Sequence, residues 1–394
     1  MIDSRNDFLA LVGGTIYVNP TVEPIPEGVV LIADGKIAAV GTRAEVKVPS
    51  SAQSVDCSGR TITAGFWNSH VHFMERKWAD VSSIPAAELD RQLQEMLTRY
   101  GFTVAFDLSS IWENTKLLRD RIESGEVRGP RIYSTGLGFV PSNPGLPPDS
   151  VINMMGWVNT APAEVADAAQ AGAATRKWLD SGVDAIKLFI SAPSKASLSE
   201  SVIQTAVNEA HRAGKLVFAH PNSGADVLAA IKGGVDVIAH TTPHSGLWDE
   251  PILAAVNQRR VALTPTLWIW KWYTRHDRGS AQDKLVNTET GQLRAWIASG
   301  GTVLFGTDLG AVDPDPGEEY ALMAQAGMSF RQILASLTIA PAERFGQSNR
   351  LGRVAVGFQA DLVVLKDDPA KNLSALTNVL YTLRDGKIIY RAKE

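Results

Sequence analysis

Between residues 62 and 345 the hydrophobic period switches repeatedly from two to 3.6 and back. Period two marks a strand and period 3.6 an amphipathic helix. Strand-like runs read at Thr61–Phe73, Gly101–Asp107, Pro130–Thr135, Val183–Ile190, Leu216–His220, Val235–His240, Val261–Pro265 and Thr302–Asp308. Helical runs read at Ala86–Tyr100, Asn114–Ser124, Glu164–Asp180, Ser199–Ala213 and Phe330–Thr338. Strands alternating with helices imply a parallel sheet with right-handed crossovers. Eight of them point to an α/β chain closed into a (β/α)8 TIM barrel rather than an open doubly wound sheet. Gly13-Gly14 lacks the Gly-x-Gly-x-x-Gly context of a dinucleotide site, and no phosphate-binding loop of the Gly-x-x-x-x-Gly-Lys type is present.

Both ends of the chain read differently. Val29–Val40 carries Asp34-Gly35-Lys36-Ile37, and Tyr381–Tyr390 carries Asp385-Gly386-Lys387-Ile388. Asp-Gly between apolar runs is a hairpin signal, because both central residues need positive φ. A lone hairpin is marginal in water. The economical solution is one small composite β-sandwich built from both termini, residues 1–61 with 346–394, set on a barrel of residues 62–345.

Composition narrows the chemistry. A formal net charge of -4 leaves no basic footprint for nucleic acid. No apolar run approaches the ~18 residues of a membrane span, and the first residues lack a signal-peptide pattern. The chain is expected to be cytoplasmic, to form homo-oligomers and to act on a small molecule. Cys57 is the single cysteine, so a metal would rest on nitrogen and oxygen ligands.

Such ligands sit where a barrel concentrates its chemistry. His70 and His72 end the first strand at i and i+2, and on a strand such residues aim at one spot. A lone His-x-His pair is often only a polar strand end. Here, however, the fourth strand holds Lys187, the fifth ends in His220, the sixth in His240 and the eighth in Asp308. Ends of barrel strands share one face. Paired neutral imidazoles there suit a zinc-type centre. Ile186, Leu188 and Phe189 flank Lys187 and argue for an inward side chain rather than a solvated one.

Five motifs resemble the amidohydrolase superfamily, in particular its imidazolonepropionase and Xaa-Pro dipeptidase-like branch. They are Ala64-Gly65-Phe66-Trp67-Asn68-Ser69-His70-Val71-His72, Gly182–Lys187, Gly234–His240, Phe305-Gly306-Thr307-Asp308 and Gly357–Val363. The resemblance spans nearly the whole chain. It implies a metal-dependent hydrolase of C–N bonds in an amide, dipeptide or cyclic amide. It implies that His70, His72 and Asp308 bind a buried divalent ion and that His220 and His240 bind a more exposed one. Lys187, as N6-carboxylysine, would bridge the two. A lysine ammonium, with pKa about 10.4 in water, must lose its proton among cations before it can add carbon dioxide. A hydroxide shared by two metals, zinc by default, would attack the carbonyl. Asp308 would carry its proton to the leaving nitrogen.

Departures bear on the substrate. Trp67-Asn68-Ser69 stands where many relatives have an aliphatic residue and an aspartate, and His220-Pro221 and Ala239-His240-Thr241 differ from the dipeptidase-like pattern. Trp268, Trp270 and Trp272 alternate past the seventh strand and could face an apolar substrate, with Tyr273, Lys271 and Arg275 near a carboxylate and His244 beside the site. Packing between loops is an equal reading of the tryptophans, and solvated surface positions of the rest. Gly136–Trp157 lacks periodicity and suits a lid. An alternative within the superfamily is a mononuclear deaminase or dechlorinase. It would use His70, His72, His220 and Asp308 on one metal, with His240 as proton relay. A non-catalytic scaffold would have lost ligands, and none is missing here.

Overall fold

The structure is a computed structural model that describes residues 8–145, 162–276, 279–308, 310 and 315–393. The terminal segments meet in one sheet. Its strands are β1 (Leu9–Ile16), β2 (Ile25–Ala33), β3 (Lys36–Thr42), β4 (Gln53–Asp56) and β5 (Thr61–Ala64). The other end of the chain adds β16 (Leu362–Leu365), β17 (Val379–Arg384) and β18 (Lys387–Arg391). The order is β18-β17-β16-β5-β1-β2-β3, with β4 on β1. Leu11, Ile16, Val30, Ile32, Ile62, Leu362, Val364 and Leu383 form its core.

The Asp-Gly turns behave as their chemistry requires. Asp34 and Gly35 have φ 51° and 75°, and Asp385 and Gly386 have φ 48° and 73°. These are the positive angles of a two-residue hairpin turn. The two turns also pack on each other. A Cβ on Gly386 would lie 2.9 Å from Ile32 Cγ2, and one on Gly35 would lie 3.1 Å from the Asp385 carbonyl oxygen. Asp385 N–H donates to Asp361 Oδ1 at 2.9 Å, and Arg131 reaches both carboxylates.

The middle of the chain is a parallel α/β arrangement. Strands β6 (Phe66–Val71), β7 (Phe102–Asp107) and β8 (Arg131–Ser134) form one parallel sheet. A second contains β9 (Phe139–Pro141), β10 (Ala163–Val165), β11 (Ala185–Phe189), β12 (Leu216–His220), β13 (Val237–Ala239), β14 (Ala262–Thr264) and β15 (Thr302–Val303). Backbone bonds join the two sheets at both edges. Asp184 N–H donates to Ser134 O at 2.8 Å, and Ser69 N–H to Phe305 O at 2.8 Å. The crossover helices Ala168–Ser181, Glu200–Arg212, Gly224–Lys232 and Glu250–Arg259 are each capped by a side chain, from Asp167, Ser199, Ser223 and Asp249. Such caps satisfy N–H groups that the first turn leaves unpaired.

The alternation of β11 decides where Lys187 points. Ala185 packs with Phe106, Phe218, Val237, Ala262 and Leu304 in a core between strands, whereas Ile186 and Leu188 join the core shared with the helices. Lys187 lies two residues past Ala185 and shares its face.

Several boundaries differ from the sequence reading. Glu164 lies in β10, and the helix expected to begin there starts at Ala168. Regular pairing in the eighth strand covers Thr302–Val303 alone; the chain to Asp308 follows β6 by single hydrogen bonds. Gly136–Trp157 includes the short strand β9, and its part beyond residue 145 lies outside the described residues. Among the described residues no helix is long and apolar enough to cross a membrane.

Candidate metal centre

His70 and Asp308 are brought together by backbone before any side chain acts. Asp308 N–H donates to His70 O at 2.9 Å. Asn68, fully buried, donates through Nδ2 to Thr307 Oγ1 at 2.8 Å and accepts from Thr307 N–H and His70 N–H at 3.3 Å each. The departure at Asn68 thus ties the first strand to the Asp308 segment.

The side chains then converge. His70 Nε2 and His72 Nε2 are 3.2 Å apart, and Asp308 Oδ1 lies 3.1 Å from the first and 2.7 Å from the second. One ligand atom from each residue falls within 4.8 Å of the others, and all three residues are buried. The second pair of imidazoles continues the row. Ring centroids of His70 and His240 are 4.6 Å apart, and those of His240 and His220 are also 4.6 Å apart. Non-glycine residues with φ > 0 gather here: His240 at 81°, Thr266 at 44° and Asp308 at 59°. Such backbone is costly and concentrates at functional sites.

Electrostatics leave these groups ready for a cation. Burial pushes His70 down to about 3, against the pull of Asp308, and it pushes His220 down to about 4. Burial also holds His240 well below the ordinary histidine value. All three imidazoles are therefore neutral and carry lone pairs at pH 7. Burial would raise Asp308, but the neighbouring imidazoles of His70 and His72 outweigh it and hold the carboxyl below its usual range. Lys187 is 1% exposed, and burial lowers its amine to about 7 although Asp308 and Asp107 oppose this. No carboxylate lies within ion-pair distance of that amine among the described residues. His70 Nδ1 and His72 Nδ1 are buried without a hydrogen-bond partner. Neutral imidazoles, one carboxylate and one unpaired buried amine are a donor set that fits divalent metal.

The structure therefore gathers all four strand-end histidines, Asp308 and Lys187. The aromatic residues are placed differently from the sequence reading. Trp268–Tyr273 is a helix, where the sequence reading places a loop after the seventh strand. At 100° per residue, Trp268 and Trp272 share a side and Trp270 faces away from them. Trp270 meets His244 edge-on at 5.2 Å, Trp272 meets Tyr273 at 5.4 Å, and the Arg275 guanidinium stacks 3.6 Å from the Trp272 ring. Lys271 pairs with Glu318. Tyr273 is raised to about 12 by burial and by the charge of Asp308.

Three buried acids went unnoticed in the sequence. Asp107, at the end of β7, accepts from Ser110, Ser134 and Thr115, and burial raises its pKa. Its place at a strand end was the available signal. Glu319 accepts the Trp268 N–H at 2.7 Å and is raised to about 8 by burial. Glu289 is raised well above the usual range by burial and by Glu319. Nothing local marks either glutamate as internal.

A sequence model described as the amidohydrolase family matches residues 61–389. The chain is 25% identical over 410 residues to ochratoxinase of Aspergillus niger, covering 93% of this chain and 83% of that protein. A crystal structure of a Xaa-Pro dipeptidase with bound methionine superposes with a TM-score of 0.82 at 20% identity, covering 98% of this chain and 100% of the other. Molinate hydrolase superposes with a TM-score of 0.79 at 22% identity, covering 97% and 94%.

Proposed function

We propose, from the premise that the chain belongs to the amidohydrolase family and hydrolyses carbon–nitrogen bonds, that it is a binuclear metal hydrolase of a small amide, dipeptide or cyclic amide. The observation that carries this reading is the convergence of His70, His72 and Asp308 on one buried point. His70, His72 and Asp308 would hold one cation, and His220 and His240 a second. Lys187, as N6-carboxylysine, would help hold both: its neutral amine would form an N–C bond to carbon dioxide and release one proton. A pair of divalent cations, zinc by default, supplies Lewis acidity and a water of lowered pKa.

The protein's own groups do the rest. Asp308 Oδ1 is engaged by both imidazoles, while among the described residues no hydrogen bond reaches Oδ2. Oδ2 is the atom that takes a proton from the attacking water and returns it to the leaving nitrogen. Trp270 and His244 pack edge to face, and Tyr273 lies within electrostatic reach of Asp308. The relatives bear the names ochratoxinase, Xaa-Pro dipeptidase and molinate hydrolase, so kinship alone leaves the substrate open within C–N hydrolysis.

The hydrogen bonds linking β8 to β11 and β15 to β6 support a closed ring of eight strands, β6 to β8 and β11 to β15. We read residues 62–345 as that barrel. Residues 1–61 and 346–394 form the composite sandwich. The test is metal analysis with a hydrolysis panel of dipeptides, N-acyl amino acids and cyclic ureas. Two equivalents of metal and chelator-sensitive hydrolysis are expected. One tightly held ion with full activity in Lys187→Ala would instead establish the mononuclear reading.

A further inference from the structure

We propose that Asp107 is a positioning residue of the metal centre, a buried carboxylate that serves it as a fixed counter-anion without ligating. The inference rests on the metal-hydrolase reading above and deepens it.

Strand register places the group. Val71 of β6 pairs with Asp107 of β7, so the acid sits alongside the residue before His72. Leu108 N–H donates to Val71 O at 3.0 Å and continues the pairing. Phe106 and Leu108 join the core between strands, which turns Asp107 to the helix side of the sheet. The acid is therefore outside the group in which His70, His72 and Asp308 converge. It acts on that group through charge.

A count of protons shows the charge. Asp107, Ser110, Ser134 and Thr115 are all buried. Ser110 Oγ accepts Phe73 N–H at 2.8 Å, and Ser134 Oγ accepts Gly136 N–H at 3.0 Å. Each hydroxyl has one proton to give. Ser110 gives its proton to Asp107 Oδ1, and Ser134 gives its own to Oδ2 at 2.7 Å. Thr115 adds a third donor to Oδ2 at 3.3 Å. A proton on the carboxyl would compete with these three for the same two oxygens. Burial pushes the carboxyl up, and the hydroxyls of Ser110 and Ser134 pull it down.

This anion has no counter-charge of its own. Asp361, also buried, has the Arg131 guanidinium at 3.2 Å. Among the described residues no such cation reaches Asp107. The helix Trp112–Glu123, whose first turns supply Thr115, offers a partial charge only. His72 and the Lys187 amine lie within electrostatic reach of Asp107, and both belong to the metal centre. A buried charge without compensation is costly. Cations at His72 would relieve that cost, and Asp107 in turn favours their retention.

The test compares Asp107→Asn, which removes the charge at nearly constant volume, with Ser110→Ala, which keeps the charge and cuts the tie to Phe73. Zinc retention by the full-length chain is read by chelator competition, and melting temperature is read with and without zinc. Asp107→Asn is expected to hold zinc ~10–100-fold more weakly. It should also shrink the rise in melting temperature that zinc gives, since that rise follows affinity. Ser110→Ala should hold zinc within a few-fold of wild type. An Asp107→Asn chain that keeps zinc as tightly as wild type overturns the proposal. So does one that fails to fold or loses melting temperature equally with and without zinc, because Asp107 is then only a cross-link between strands. Equal loss of zinc in Ser110→Ala also overturns it, since the tie to Phe73 would then hold the metal. A wild-type chain that retains no zinc refutes the metal-hydrolase reading itself, and the proposal with it.

Discussion

The His70–His72–Asp308 half of the site and the Lys187–His220–His240 half differ in what holds them. In the first, two strand segments are joined by Asp308 N–H to His70 O and by the Asn68–Thr307 bond, and the ligand atoms already touch. In the second, the imidazoles meet ring to ring, each is tethered through one ring nitrogen, and among the described residues the Lys187 amine touches no acid. The inner half is assembled by the backbone. The outer half is a set of separately anchored groups, which on the two-metal reading proposed above a central occupant and a carboxylated Lys187 would join into one unit.

The largest effect should come from breaking the inner half. Asp308→Asn keeps the shape but removes the negative charge shared by two imidazoles and the proton carrier. We expect kcat to fall by ~10²–10⁴-fold, the range for losing a positioned acid–base group, together with weaker retention of one metal. Metal analysis with steady-state kinetics checks this; a variant within a few-fold of wild type would remove Asp308 from the chemistry. The outer half breaks differently. Lys187→Ala should lose one equivalent of metal and roughly a hundredfold or more in activity, because even outer partners of ligands are worth ~10–100-fold. Short carboxylic acids should restore part of it by filling the space of the missing carbamate. The same acids should do nothing for Asp308→Asn. That contrast is the sharpest way to separate the halves.

The comparison also shows what a sequence makes legible. His70 and His72 could be placed because strand period is local, and the Asp34-Gly35 and Asp385-Gly386 turns because positive φ is a property of those residues. The placement of the three tryptophans could not. Trp268, Trp270 and Trp272 suit a strand or a helix over so short a run. The turn at Thr266, with positive φ, starts a helix there instead. Nor could Glu289 and Glu319 be found. Both belong to helices whose acidic residues would ordinarily be solvated; both helices pack against Trp268–Tyr273, and Glu319 accepts the Trp268 N–H. Asn68 was visible as a departure, but its role depends on Thr307, 239 residues away.

The smallest effect tests the aromatic helix Trp268–Tyr273 without touching either half of the metal centre. Glu319 is fully buried and accepts the Trp268 N–H, and burial raises its pKa from 4.5 to about 8. Its folded value lies above its unfolded value, so the folded chain binds the proton more tightly. Below pH about 4.5 both states are protonated and stability is at its highest from this group. As pH rises towards about 8 the unfolded chain releases the proton first, and stability falls by an amount on the order of 4–5 kcal/mol before levelling off. Glu319→Gln keeps an oxygen for the Trp268 N–H and has nothing to titrate. Urea melts of wild type and variant should therefore converge near pH 5 and separate by pH 8, with the variant more stable and its metal content unchanged. Glu319→Leu, which strands the Trp268 N–H, should lose about 1–3 kcal/mol at pH 5. Parallel stability curves for wild type and the Gln variant across this window would mean that Glu319 titrates like a solvated acid, and that the aromatic helix does not seal it from water.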